Sequence, residues 1–129
     1  MRARKHHDTN KQSYTILWII TDGKIDDMDQ SIEEICQGAH EALSIVFIGI
    51  GDVDCFKMYR LDGDSQTLSD SEGTKCCRDI VQFVPFQQFS RSAGLLEAET
   101  LSEIPFQMVR YFIRNKIFPS PLRPKHHRR

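Results

Sequence analysis

Asp22 closes an apolar run, Tyr14 to Ile20 (YTILWII), and is followed at once by Gly23. A carboxylate at such a place can ligate a hard cation such as Mg²⁺ or Ca²⁺, which take oxygen ligands. One carboxylate does not hold a cation by itself, so its partners decide whether a site exists. The cysteines Cys36, Cys55, Cys76 and Cys77 could supply soft ligands or disulfides. Cys76 and Cys77 are adjacent, but no second cysteine pair or ordered histidine follows at zinc-finger spacing. The opening MRARKHHDTNKQ has no apolar core of a secretory signal, so the four read as reduced cytosolic thiols. His6, His7, His126 and His127 sit at the termini, and His40 falls near a predicted helix end. VFIGIGD opens like a dinucleotide turn, yet Asp54 stands where G-x-G-x-x-G needs its third glycine. The DGD at 62–64 hints at a calcium loop, yet Gln66, Thr67 and Gly73 occupy positions where an EF-hand needs Asp or Asn, Gly and Glu. No Ser/His/Asp or Cys/His arrangement pairs a nucleophile with a base. No catalytic residue is expected, and no enzyme.

The elements that would position Asp22 follow from periodicity. Tyr14 to Ile20 reads as a strand buried on both faces, as in parallel α/β sheets, where ligands bind beyond the carboxyl ends of strands. Asp26 to Ala42 reads as a helix with Met28, Ile32, Ile35, Cys36 and Ala39 on one stripe and its acids early, where the helix dipole favours them. Leu43 to Ile50 is a second buried strand, so the interval fits one right-handed β-α-β crossover. Val53 to Leu61 reads as a short helix burying Phe56, Met58 or Tyr59, and Leu61. Asp62 to Lys75 is a polar loop by composition. Arg78 to Phe86 supplies a third strand closed by Pro85. Ala93 to Asn115 alternates at helical period with Leu101, Ile104, Met108 and Phe112 on one face, and Pro105 predicts a kink or two abutting helices. The fold class is α/β, a partial doubly wound parallel sheet of about three strands with flanking helices. One edge of so small a sheet would be apolar and uncovered, which invites pairing with another chain.

The chain has 129 residues, 40% of them hydrophobic and 27% charged, ordinary values for one soluble domain. No apolar stretch approaches the roughly 20 residues of a membrane helix. The formal net charge of −1 hides an asymmetry. Residues 13–109 hold 6 Lys/Arg against 17 Asp/Glu, residues 1–12 hold 4 against 1, and residues 110–129 hold 7 against none. Three segments follow: a basic start at 1–12, the α/β body at 13–116, and a proline-rich basic tail at 117–129 whose Pro121-Leu122-Arg123-Pro124 is a minimal P-x-x-P for SH3 recognition. The ends read as solvated tails, and no nucleic-acid partner is expected.

YTILWIITDGKIDDMDQSIEEI, LSIVFIGIGDVDCFKMYRLDGD, RDIVQFVPFQQF and LSEIPFQMVRYF closely resemble the carboxyl-terminal portion of copines, over roughly Tyr14 to Ser120. The resemblance implies a von Willebrand factor A-like, Rossmann-like domain that recruits partner proteins, and a family with two C2 domains that bind phospholipid in response to calcium. It implies placement in the cytoplasm with recruitment to the inner face of the plasma membrane. In that fold a metal-ion-dependent adhesion site combines D-x-S-x-S, a Thr and a later Asp, and only the last maps here, onto Asp22. By this mapping Tyr14 starts the fourth of six strands, with the first three strands and both C2 domains outside the sequence. Asp22 is then a vestigial ligand, and any Mg²⁺ or Ca²⁺ binding is expected to be weak. The leading expectation is a non-enzymatic protein-interaction module with protein partners of unknown identity, membrane contact through the family alone, and self-association through the exposed edge strand. The alternatives are the A-like domain of a ubiquitin ligase carrying a RING, or a truncated product without independent function.

Overall fold

The structure, a computed structural model, describes residues 12–24, 27–51, 55–62, 68–70 and 72–119. The basic start up to residue 11, the third glycine position at 54, most of the 62–64 calcium-loop hint and the P-x-x-P tail lie outside the described residues. Three strands, β1 (Thr15–Thr21), β2 (Leu43–Gly49) and β3 (Val81–Pro85), form a parallel sheet in the order β1-β2-β3. Five helices accompany them: α1 (Met28–Gly38), α2 (Cys55–Asp62), α3 (Phe86–Phe89), α4 (Ala93–Leu101) and α5 (Ile104–Arg114). Helices cover both faces of the sheet, α1 and α2 on one and α3, α4 and α5 on the other, which is consistent with the partial von Willebrand factor A-like fold that the resemblance implies.

The register divides the core between two faces. Leu17 and Ile19 align with Ile45 and Phe47 of β2, and these with Val81 and Phe83 of β3. This face packs beneath Ile32, Ile35 and Ala39 of the α1 region and Met58 and Leu61 of α2. On the other face Ile16, Trp18 and Ile20 align with Ser44, Val46 and Ile48. There the buried cluster is small, Val46 and Val84 under Ile104, with Ile48, Phe89 and Leu96 half-buried around it.

Local chemistry sets the boundaries. Asp27 caps α1, its Oδ1 accepting the Gln30 N–H at 2.9 Å. The helix is therefore shorter than the predicted 26–42, and its stripe is the predicted one, with Ile32, Ile35 and Ala39 buried and Met28 and Cys36 half-buried. The third strand starts three residues later than predicted, because Arg78 and Asp79 use their side chains to tie down the entry to β3. The predicted 93–115 helix is two helices, broken at Ser102–Glu103 with Pro105 in the first turn of α5, where its missing N–H costs nothing. Their predicted buried face needs correction: Leu101 is exposed, and α5 buries Ile104, Gln107 and Tyr111, with Met108 and Phe112 half-buried. α5 ends in a Schellman motif, with Lys116 N–H on the Ile113 carbonyl at 3.1 Å, Ile117 N–H on that of Phe112 at 2.8 Å, and Lys116 at φ 56°. No described helix is long and apolar enough to cross a membrane.

Candidate functional site

Asp22 stands where the sequence places it, just beyond the carboxyl end of β1, and it is exposed. Its Oδ1 accepts the Lys24 N–H at 3.1 Å, and Thr21 Oγ1 accepts the Gly23 N–H at 3.0 Å. Gly23 takes φ 83°, which a side chain would strain. The residue thus shapes a turn. Among the described residues, the group of three acids close enough to share a cation is elsewhere: Asp62, Asp79 and Glu103, whose carboxylate oxygens lie within 4.8 Å of one another.

Asp62 has a structural task on the outer edge of β3, where its Oδ2 accepts the Phe83 N–H at 2.7 Å. A side chain on a free strand edge discourages a second strand from pairing there. The outer edge of β1, by contrast, has no strand beside it among the described residues. Ile16, Leu17, Trp18 and Ile20 are 38%, 45%, 47% and 69% exposed. This corrects the reading of β1 as buried on both faces. It agrees with the edge position that the resemblance implied. Among the described residues β1 pairs on one side only, and the helices sit over β2 and β3 more than over β1. The outer side of α5 adds Phe106, Val109 and Ile113, all exposed. Their spacing of three and four forms one apolar stripe.

Beneath this surface Arg78 fastens the sheet to α5. Its buried guanidinium donates to the Ala39 carbonyl at 2.9 Å, to those of Glu41 and Leu43, and to that of Gln107 at 3.2 Å. It also donates to Tyr14 Oη at 3.2 Å and lies 5.1 Å from the Tyr111 ring centroid. Tyr14 Oη in turn donates to the Leu43 carbonyl at 3.1 Å. Burial, and then the charge of Glu41, push the Tyr111 phenol above its usual pKa; the Arg78 charge pulls it the other way.

The reading of all four cysteines as reduced thiols also needs correction. Cys36 of α1 and Cys76, in the loop before β3, form a disulfide across 40 residues of sequence. Cys77 keeps a free thiol, which donates to the Ala39 carbonyl at 3.2 Å. No spacing rule announces this pair. The β-α-β crossover lays the end of α1 beside the entry to β3, and only the folded chain shows it.

The comparisons with known proteins converge on one family. The family model described as Copine matches residues 1–120, a span that takes in the basic start. Copine-E of Dictyostelium discoideum is 47% identical over 120 residues, covering 92% of this chain and 21% of that protein. Copine-B of the same organism is 46% identical over 119 residues, covering 91% and 22%, and Copine-C is 43% identical over 122 residues, covering 95% and 23%. The chain thus spans less than a quarter of the length of these relatives.

Proposed function

The chain belongs to the copine family, and from that premise we propose that it acts as a non-enzymatic protein-interaction module whose contact surface is the outer edge of β1. The observation that carries this reading is the exposure of Ile16, Leu17, Trp18 and Ile20 on a strand whose outer backbone edge is unpaired among the described residues. Side chains on both faces of such a strand ask for cover, and a protein segment adding as a further strand supplies it. Main-chain hydrogen bonds would then provide affinity, and pockets for alternate side chains would provide selectivity. A second copy of the chain could occupy the same edge. Placement in the cytoplasm, and recruitment to the inner face of the plasma membrane, are proposed on the family resemblance alone. No metal-dependent or catalytic step is assigned to Asp22.

The test is quantitative recovery of bound protein by three forms of the chain: the native sequence, Trp18→Lys with Ile20→Lys, and a form lacking residues 1–11 and 120–129. Both lysines replace exposed side chains, so the fold should persist; circular dichroism checks that it does. Recovery should fall about tenfold or more in the edge variant, the penalty for burying an unpaired charge, and stay unchanged without the tails. Full recovery by the edge variant together with loss on removing the tails would overturn the assignment.

A further inference from the structure

A cavity of about 590 Å³ lies between the end of α1 and the loop preceding β3, and Cys36, His40, Cys76 and Cys77 all line it. We propose that, once the Cys36–Cys76 disulfide is reduced, this cavity holds one thiophilic divalent cation of the Zn²⁺ class. The ligands are the thiolates of Cys36, Cys76 and Cys77 and the imidazole of His40.

Three observations place the ligands. Cys36 and Cys76 are already joined sulfur to sulfur, so their backbone positions allow the closest possible approach. Tetrahedral zinc with Zn–S bonds of about 2.3 Å needs sulfurs roughly 3.8 Å apart, a separation that rotation of the two side chains would supply once the bond is reduced. Cys77 follows Cys76 directly, and in an extended strand its side chain would point to the opposite side. Here the chain bends at Cys77 and Arg78, and the Cys77 thiol reaches the Ala39 carbonyl, at the same end of α1. Ala39 is the C-cap of that helix, three residues after Cys36 and one before His40. His40 lies in the turn just past the C-cap of α1, is exposed, and lines the same cavity as the three cysteines, so rotation of its ring is what would bring it to the sulfurs.

The charges around the cavity suit the complex. Three thiolates and a dication leave a net charge of −1, and Lys75 and Arg114 line the same wall. Arg114 donates to the Cys77 carbonyl at 3.4 Å. Glu33, Asp70 and Glu72 also line it and favour entry of a cation. A dithiol reductant supplies the two electrons and two protons that convert the disulfide to two thiols, becoming a disulfide itself. The cation then displaces one proton from each of the three thiols as the metal–sulfur bonds form. The metal would clamp α1 to the loop before β3, as the disulfide does under oxidising conditions.

The experiment uses the whole chain, reduced with a phosphine and titrated with Co²⁺ as a spectroscopic stand-in for Zn²⁺. Sulfur-to-cobalt charge-transfer bands and tetrahedral d–d bands should saturate at one equivalent. They should be absent from the oxidised chain, collapse in Cys36→Ser, Cys76→Ser and Cys77→Ser, weaken in His40→Ala, and persist in Cys55→Ser. Because a serine variant can fail to fold, alkylation of the native sequence gives a second reading. Zn²⁺ should protect Cys36, Cys76 and Cys77 and leave Cys55 to be modified. Absence of the bands from the reduced chain, their loss in Cys55→Ser, or equal protection of all four cysteines would overturn the proposal.

Discussion

Arg78 sets a permanent charge in the interior and satisfies it almost wholly with backbone carbonyls. Those of Ala39 and Glu41 come from the turn after α1, that of Leu43 from the first residue of β2, and that of Gln107 from α5. One planar fork therefore joins three segments far apart in sequence. Removing it strands several buried acceptors, each costing about 1–3 kcal/mol. Arg78→Ala should lower the unfolding free energy by about 3–5 kcal/mol, the range seen when one side of a buried charged network is removed. Arg78→Lys should recover less than half of that, because three ammonium donors cannot reproduce the fork. Urea midpoints of the three proteins decide it, and a lysine variant as stable as the native chain would show that charge alone matters. Tyr111 gives a companion expectation in pH. Its phenol titrates higher in the folded chain than the value of about 10 it has when unfolded. The folded state thus keeps the proton more tightly. Stability that rests on the neutral phenol is intact below pH about 10 and falls as pH rises toward the folded value. In denaturation at stepped pH, the difference between the native chain and Tyr111→Phe should be flat below that point. Above it the native chain should lose more stability than the phenylalanine variant. A flat difference throughout would place the titration elsewhere.

At the scale of elements, local signals spoke clearly and distant ones did not. The apolar runs at 14–20 and 43–50 announce strands, and the stripe Ile32, Ile35, Ala39 announces the helix between them, because burial and periodicity are written in neighbouring residues. Pro105 marks the break between α4 and α5 for the same reason: the ring forbids an interior helical position and suits a first turn. The buried face of α5 was not legible. Gln107 and Tyr111 are buried because Ser44 and Arg78 meet them from β2 and the β3 entry, and a polar residue at a core position carries no hydropathy signal. The start of β3 was misread for a related cause, since Arg78 sits in a run that is otherwise strand-like. Asp22 was found from its strand alone. The acids Asp62, Asp79 and Glu103 and the cysteine cluster are made by the crossovers, so their separations in sequence say nothing of their proximity.

At the scale of the whole molecule, the two faces of the sheet are unequally covered, and that imbalance governs behaviour in solution. The buried cluster beneath α1 and α2 draws on β2 and β3 with Ile19 of β1 half-buried against it, while the opposite cluster has Val46, Val84 and Ile104 at its centre. Trp18 aligns with Val46 at the centre of the smaller cluster and Ile20 with Ile48 at its rim, and both stay exposed on the edge strand of the described sheet. Folding in isolation leaves that apolar surface in water, at a cost of roughly 25 cal/mol for each Å² that a partner could cover. On the proposed reading, a small sheet so edged is marginal as a monomer and pairing through the edge would relieve it. The purified chain should therefore show a mass by light scattering that rises with concentration, and a melting temperature that rises with it, since association stabilises by mass action. Trp18→Lys with Ile20→Lys should hold the mass at one chain while changing the melt of the dilute protein little, because neither side chain is in the core. Should the native chain run as a monodisperse monomer with a sharp, reversible transition independent of concentration, the edge would be tolerated in water and the interaction reading would lose its physical basis.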